Sequence, residues 1–262
     1  MAAPNFDLSG RVALITGSGR GIGFAIAEAL ASAKCAVAIQ DLDREAASGA
    51  VEKIKREGGK AIALGGDITD LSIAPTLVRE TIAQLGRIDI LVNNASVQAT
   101  LPWTQLDQKD FDRTMHANVL MALLLCQQVE PHLRRQKWGR IVNIGSIQQI
   151  LGNERMMSYA MSKAALLNMT LALSRDLAAD GITVNMIAPG YFNTIRNADK
   201  LGDPEKRREA GERLVPVGRI GEPRDVAGLA LLLCSEAGSY ITGESIFVDG
   251  GMSARSELRA GR

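Results

Sequence analysis

Histidine and cysteine are scarce in this chain of 262 residues, which holds two of the first and three of the second. His116 and His132 stand at no ligand spacing to each other or to a cysteine, which argues against a metal held by the protein. Cys35, Cys126 and Cys234 are far apart, odd in number and set among apolar residues, so packed thiols in a reducing compartment are expected rather than a disulfide framework. A formal charge of +1 gives no reason to expect nucleic acid or an anionic membrane as the main partner. No apolar run reaches the roughly 18 residues of a membrane span; the longest, around 119–126 and 226–234, read as buried helix faces. The opening MAAPNFDLSG lacks a basic-then-apolar export pattern, and the cytoplasm is the expected location.

What is present is the balance of a soluble globular protein, 46% hydrophobic and 23% charged. Short apolar runs alternate with stretches of helical spacing. RVALIT precedes the helical GIGFAIAEALASA, and CAVAIQ, KAIALGG, RIDILVNN, RIVNIGS, ITVNMIAP and ESIFVDGG repeat the strand pattern between helical segments near 44–58, 72–86, 107–136, 156–180 and 223–234. Seven strands that are mostly apolar throughout, alternating with helices, predict an α/β fold. The expected architecture is a Rossmann-type doubly wound parallel sheet with helices on both faces, in one domain over residues 1–262, with 253–262 a polar tail.

TGSGRGIG, residues 16–23, falls where the first strand hands over to the first helix. Gly17, Gly21 and Gly23 there let the backbone turn sharply and a pyrophosphate approach the helix N-terminus. Asp41, 24 residues after Gly17 and at the end of the second strand, can accept bonds from ribose hydroxyls. It would repel a 2′-phosphate, and Leu42 brings no compensating charge, so NAD is expected over NADP. Arg20 either meets a 2′-phosphate or is solvated. Asp67 and Ile68, past the third strand, could border the adenine, and NNAS, Asn93–Ser96, could brace the cleft.

Tyr159 and Lys163 lie four apart in a helical stretch, hence on one face, and Ser146 closes the fifth strand thirteen residues before Tyr159. In an open α/β sheet the crevice lies beyond the carboxyl ends of the strands, so Ser146 and the glycine loop open on one side. Oxidising a carbinol needs its hydroxyl proton removed. A free phenol is mostly protonated at neutral pH, and a nearby ammonium such as Lys163 favours the phenolate. Asn118 is a polar residue in a strongly apolar helix and calls for a structural or relay partner.

These residues together resemble the short-chain dehydrogenase/reductase family over nearly the whole chain. The glycine pattern, the NNA of Asn93–Ala95, Asn118, Ser146, Tyr159, Lys163, the APG of residues 188–190 and Thr194 match in order and spacing. The resemblance implies that Tyr159 is the acid-base, that Lys163 binds the nicotinamide ribose, that Ser146 orients substrate and that Asn118 holds a relay water. It implies a cofactor site made of Gly17, Ser18, Gly19, Arg20, Gly21, Ile22, Gly23, Asp41, Leu42, Asp67, Ile68, Asn94, Ala95, Ser96, Tyr159 and Lys163, with Pro189, Gly190, Phe192 and Thr194 flanking the nicotinamide. It also implies a homotetramer or homodimer. Ser96 departs from the family's usual glycine, which is strained if the backbone there needs positive φ.

By analogy the substrate pocket is lined just after Ser146 and after the Pro189–Gly190 turn. Gln148, Gln149, Asn153, Asn193 and Arg196, with Ser146 and Tyr159, suggest a hydroxylated substrate, a sugar or polyol. The expected activity is hydride transfer between NAD(H) and a secondary alcohol or ketone. The alternatives are an NADPH-dependent 3-oxoacyl thioester reductase and, from another class, a non-catalytic nucleotide sensor. The charged segment near 197–215 is expected to close over substrate.

Overall fold

Each apolar run predicted as a strand is one, because its side chains alternate between two helical layers and both layers are apolar. A computed structural model of the chain describes residues 5–197 and 202–254, without the side chain of Arg196. In β1 (Val12–Thr16), Ala13 and Ile15 pack on one side of the sheet and Val12 and Leu14 on the other. The same division holds in β2 (Ala36–Asp41), where Val37 and Ile39 oppose Ala36 and Ala38, and in β4 (Ile90–Asn93), where Ile90 and Val92 oppose Leu91. With β3 (Ala61–Gly65), β5 (Gly139–Ile144), β6 (Ile182–Pro189) and β7 (Ser245–Val248), they form one sheet in the order β3-β2-β1-β4-β5-β6-β7, every pair parallel. The order reverses between β1 and β4, and the crevice expected of such a reversal opens above their carboxyl ends.

The first layer holds α1 (Gly21–Ser32), α2 (Arg44–Arg56) and, late in the chain, α9 (Ala227–Cys234), packed through Ile26, Leu30, Ile54 and Leu233. The second holds α3 (Ala74–Leu85), α5 (Met121–Gln136) and α7 (Met157–Leu177), through Leu77, Val78, Leu125, Val129 and Leu177. Boundaries follow local chemistry. Asp43 caps α2 by accepting the Glu45 and Ala46 N–H groups, and Gly86 ends α3 at φ +91°.

Three segments differ from the sequence pattern. The helix predicted over 107–136 divides into α4 (Gln108–Met115), a wider π-type turn at His116–Leu120, and α5. A single helical turn, α6 (Gln148–Leu151), follows Ser146 where only a loop was expected. The charged segment contains a helix, α8 (Pro204–Leu214), capped by Asp203. No described helix is long and apolar enough to cross a membrane. Of the polar tail, residues 255–262 lie outside the described residues.

Candidate active site

The glycine loop is built by bonds from three neighbouring strand ends. Gln40, buried at the end of β2, accepts the Gly17 N–H on Oε1 at 3.2 Å and donates from Nε2 to Gly66 O at 2.8 Å. Asn94 donates from Nδ2 to both Thr16 O and Gly17 O, each at 2.8 Å, while Thr16 Oγ1 accepts the N–H groups of Asn94 and Ala95. These bonds seat the loop against β4 so closely that a Cβ on Gly23 would lie 2.5 Å from Asn94 Nδ2 and 2.5 Å from Gly17 O. Gly17 stands at φ +60°, in the left-handed region that glycine alone adopts without strain.

Helix α1 then begins with no side-chain cap and no acidic residue in its first turn, so its leading N–H groups have no side-chain acceptor. That arrangement suits an anion, and a dinucleotide pyrophosphate fits it. Asp41 Oδ2 accepts the Gly19 N–H at 2.9 Å and Asp41 Oδ1 the Asp43 N–H at 3.1 Å, which fixes the carboxylate at the rim. Arg20 is paired with Asp43. Leu42 is exposed beside them.

From this loop a cleft of about 1030 Å³ runs across the sheet switch point to the ends of β5 and β6. Gly17, Arg20, Gly21, Ile22 and Gly23 line it, as do Asp41, Leu42, Asp67, Ile68, Asn94, Ala95 and Ser96. Farther along, Ser146, Gln148, Tyr159, Lys163, Pro189, Gly190, Phe192, Asn193 and Thr194 also reach its wall. Ser18 does not: it is fully buried beneath the loop, its Oγ donating to Ile15 O at 2.7 Å. Gly19 is tied to the rim by the bond from its N–H to Asp41. Ser96 carries no positive φ, so the serine there brings no backbone strain.

At the reacting end Tyr159 and Lys163 are both buried on one face of α7. Lys163 Nζ donates to Ile144 O at 2.7 Å and sits 5.5 Å from the centre of the Tyr159 ring. Ser146 Oγ accepts the Gln148 N–H at 3.2 Å. Asn118, within the π-type turn, clamps the loop after β4: its Oδ1 accepts Val97 N–H, and its Nδ2 donates to Val97 O and to Ser162 Oγ at 3.0 Å. Ser162 Oγ in turn donates to the Tyr159 carbonyl at 2.7 Å. The side chain of Asn118 thus joins that loop to the tyrosine's helix turn.

Among the expected substrate residues, two lie elsewhere. Gln149 is buried with its amide turned toward β7, donating to Ser245 Oγ at 2.8 Å, because α6 swings it inward. Asn153 Oδ1 accepts Arg155 N–H in its own turn, off the cleft wall. Asn193 is on the wall, its Nδ2 donating to Glu222 at 3.1 and 3.2 Å. The side chain of Arg196 lies outside the described residues. Tyr191, just after the Pro189–Gly190 turn, and Leu214, in the charged segment, line the cleft too, whereas sequence reasoning missed Gln98, Met156, Glu222 and Met252, which also line it. They come from segments without a motif, and nothing local marks them.

The model of a family described as enoyl-(acyl carrier protein) reductase matches residues 17–253. The chain is 37% identical over 249 residues to 3beta-hydroxysteroid dehydrogenase 1 of Eggerthella lenta, covering 94% of this chain and 95% of that one. It is 36% identical over 247 residues to 5-keto-D-gluconate 5-reductase of Escherichia coli (strain K12), covering 94% and 97%. A solved structure of a 3-oxoacyl (acyl-carrier-protein) reductase from Agrobacterium tumefaciens C58 with NADP bound superposes with a TM-score of 0.89 at 39% identity, covering 94% of this chain and 95% of that one.

Proposed function

The chain belongs to the short-chain dehydrogenase/reductase family and is an NAD(P)-dependent oxidoreductase, and from that premise we propose that it transfers a hydride between NAD(H) and a secondary alcohol or ketone of a sugar or polyol. The observation that carries this reading is the meeting of Ser146, Tyr159 and an anchored Lys163 on the cleft that starts at the glycine loop. Because Ser146 Oγ already accepts the Gln148 N–H, its own proton remains to hold the substrate oxygen. Tyr159 takes the hydroxyl proton as the carbinol is oxidised and returns it in reduction. The Lys163 ammonium, held by the Ile144 carbonyl, stabilises negative charge that develops on the phenol oxygen. A bound nicotinamide supplies the hydride acceptor or donor. The Asn118 clamp keeps the loop after β4 and the tyrosine's helix turn in one register.

NAD is the preferred cofactor in this reading, although the Agrobacterium relative holds NADP. The support is the fixed Asp41 carboxylate at the rim and the pairing of Arg20 with Asp43, which draws that guanidinium away from a 2′-phosphate. For the substrate, support comes from the amides of Gln98, Gln148 and Asn193 on the wall, and from the ketogluconate reductase among the relatives. A panel of sugars, polyols and 3-oxoacyl thioesters, followed by the absorbance of reduced cofactor with NAD and with NADP, tests both points. Turnover of polyhydroxylated compounds with NAD is expected; turnover of the thioesters alone, with NADPH, would replace the reading.

That second reading, a 3-oxoacyl thioester reductase, is favoured by Ile147, Met156, Leu214 and Met252 on the same wall, which suit an acyl chain, and by the Agrobacterium relative. The nucleotide-sensor alternative has no use for the three reacting side chains. In this reading the enzyme works in the cytoplasm as a homotetramer or homodimer, and the exposed Met157, Met161 and Leu171 along α7 offer an apolar face to a second copy. Light scattering on the purified chain measures the subunit count.

A further inference from the structure

The loop after β6 and helix α8 reach the cleft wall from different parts of the chain. Asn193 and Thr194 line it from the loop, and Gly202 and Leu214 from the two ends of the helical segment. Both rest on one short stretch, residues 219–222. The Asn193 N–H donates to Gly221 O at 2.8 Å and the Gly221 N–H to Tyr191 O at 2.9 Å, and a Cβ on Gly221 would lie 2.7 Å from the Phe192 ring. The C-terminal half of α8 is pressed against the same stretch, since a Cβ on Gly211 would lie 2.7 Å from Arg219 Cα and 2.9 Å from Ile220 N. Val215 and Ile220 are buried there against Tyr191, Ala210 and Met252. The N-terminal half of α8, which starts just after Gly202, meets this stretch through Arg207, whose Nη1 lies 4.0 Å from Glu222 Oε1.

Glu222 therefore touches both bodies. Its two carboxylate oxygens accept Asn193 Nδ2 at 3.2 and 3.1 Å, on the side opposite in sequence to the Arg207 pair. Its own backbone is fixed, because its N–H donates to Asp225 Oδ2 at 2.8 Å and Asp225 is paired with Arg219. A carboxylate on the wall of a cleft that admits a pyrophosphate has the ligand's own sign of charge, so recognition of the dinucleotide does not account for it. The loop it holds does meet the dinucleotide end: a Cβ on Gly21 would lie 3.9 Å from Thr194 Cγ2, which brings the loop against the glycine turn. We infer that Glu222 is a positioning residue that passes the placement of this loop to the N-terminal half of α8, so that a filled cofactor cleft holds that half closed over the substrate end. The inference rests on the dinucleotide in the cleft and holds for a polyol or a thioester substrate alike. Charge-assisted bonds to a fixed carboxylate make the link directional and stiff.

Lys206, Arg207 and Arg208 place trypsin sites in that half of α8. The test follows cleavage after these residues by mass spectrometry in the full-length protein, without NADH and with NADH at a concentration that saturates each variant, as judged by its fluorescence. The quantity read is the ratio of the two rates. A substitution that merely weakens the helix changes both rates and leaves the ratio alone. In the native chain NADH should slow cleavage by about tenfold, since hydrogen bonds to a charged group then oppose the opening that trypsin requires. Glu222→Ala should be cut at one rate with and without NADH. Glu222→Gln still accepts the Asn193 amide but no longer attracts Arg207, and should keep part of the protection. Full protection in Glu222→Ala, or none in the native chain, overturns the inference. Loss of NADH binding by Glu222→Ala overturns it as well, because the carboxylate would then belong to the cofactor site. Absence of turnover with every polyol would remove the substrate reading and leave this result standing.

Discussion

Gln149 joins the last strand to the catalytic loop: its Oε1 accepts the Ser146 N–H at 3.3 Å and its Nε2 donates to Ser245 Oγ at 2.8 Å. Gly145 leaves room for it, since a Cβ at that position would lie 2.5 Å from Gln149 Oε1. The serine backbone is thereby referenced to β7 as well as to β5. Replacing Gln149 by Ala strands a buried N–H, which costs about 1–3 kcal/mol of stability. We expect a lower unfolding temperature together with a kcat reduced about tenfold, as misplacing a positioned group by a fraction of an ångström does. Unaltered kcat alongside lost stability would reduce Gln149 to a purely structural part.

Tyr159→Phe removes the hydroxyl and keeps the ring that fills the wall. Turnover should drop by about 10² to 10⁴, the range of acid-base catalysis. Dinucleotide affinity, measured by fluorescence of the reduced cofactor, should change little. Retained turnover would end the acid-base assignment.

Cofactor choice can be moved at two positions. Asp41→Ser removes the carboxylate that opposes a 2′-phosphate, and Asp43→Ser releases Arg20 while leaving a hydroxyl that still caps α2. The double variant should raise kcat/KM for NADP relative to NAD by about tenfold or more, the size of about 1.4 kcal/mol. No shift in that ratio would mean that other residues read the ribose.

Acid should loosen the turn that carries Glu222. The Arg219 guanidinium, 2.6 Å from Asp225, holds that carboxyl below its ordinary 3.8; burial opposes the shift and the Glu222 N–H adds to it. A group whose folded value is depressed stabilises above its unfolded value, and this stabilisation is lost as pH falls through the folded value. The unfolding temperatures of the native chain and of Asp225→Asn should therefore differ at pH 7 and converge as the pH falls below about 3.8. A difference that persists in strong acid would remove Asp225 from this role.

The cysteines should be silent in the folded protein. Burial pushes the Cys126 and Cys234 thiols up to about 12, and Cys35 well above its usual value. A chromogenic disulfide at pH 8 should label none of the three until denaturant is added. Rapid labelling of one thiol under native conditions would reveal local opening near it.

The sequence by itself determined the seven strands, most of the helices, the glycine loop and the order of Ser146, Tyr159 and Lys163. Those signals are local. A strand buried on both faces is mostly apolar, as ITVNMIAP is over residues 182–189 but for Thr183 and Asn185, and a helix face repeats every few residues, as Tyr159 and Lys163 do. Only the tertiary structure decided where each amide points. Gln149 and Ser245 are 96 residues apart, Asn94 and Thr16 are 78 apart, and Gln40 and Gly66 are 26 apart. The bond an amide makes depends on which donor or acceptor the folded backbone brings within 3 Å, and neighbouring residues carry no trace of that. For the same reason Gln148 and Gln149, adjacent and chemically identical in the chain, part company once the one-turn helix forms: one joins the cleft wall and the other anchors the serine.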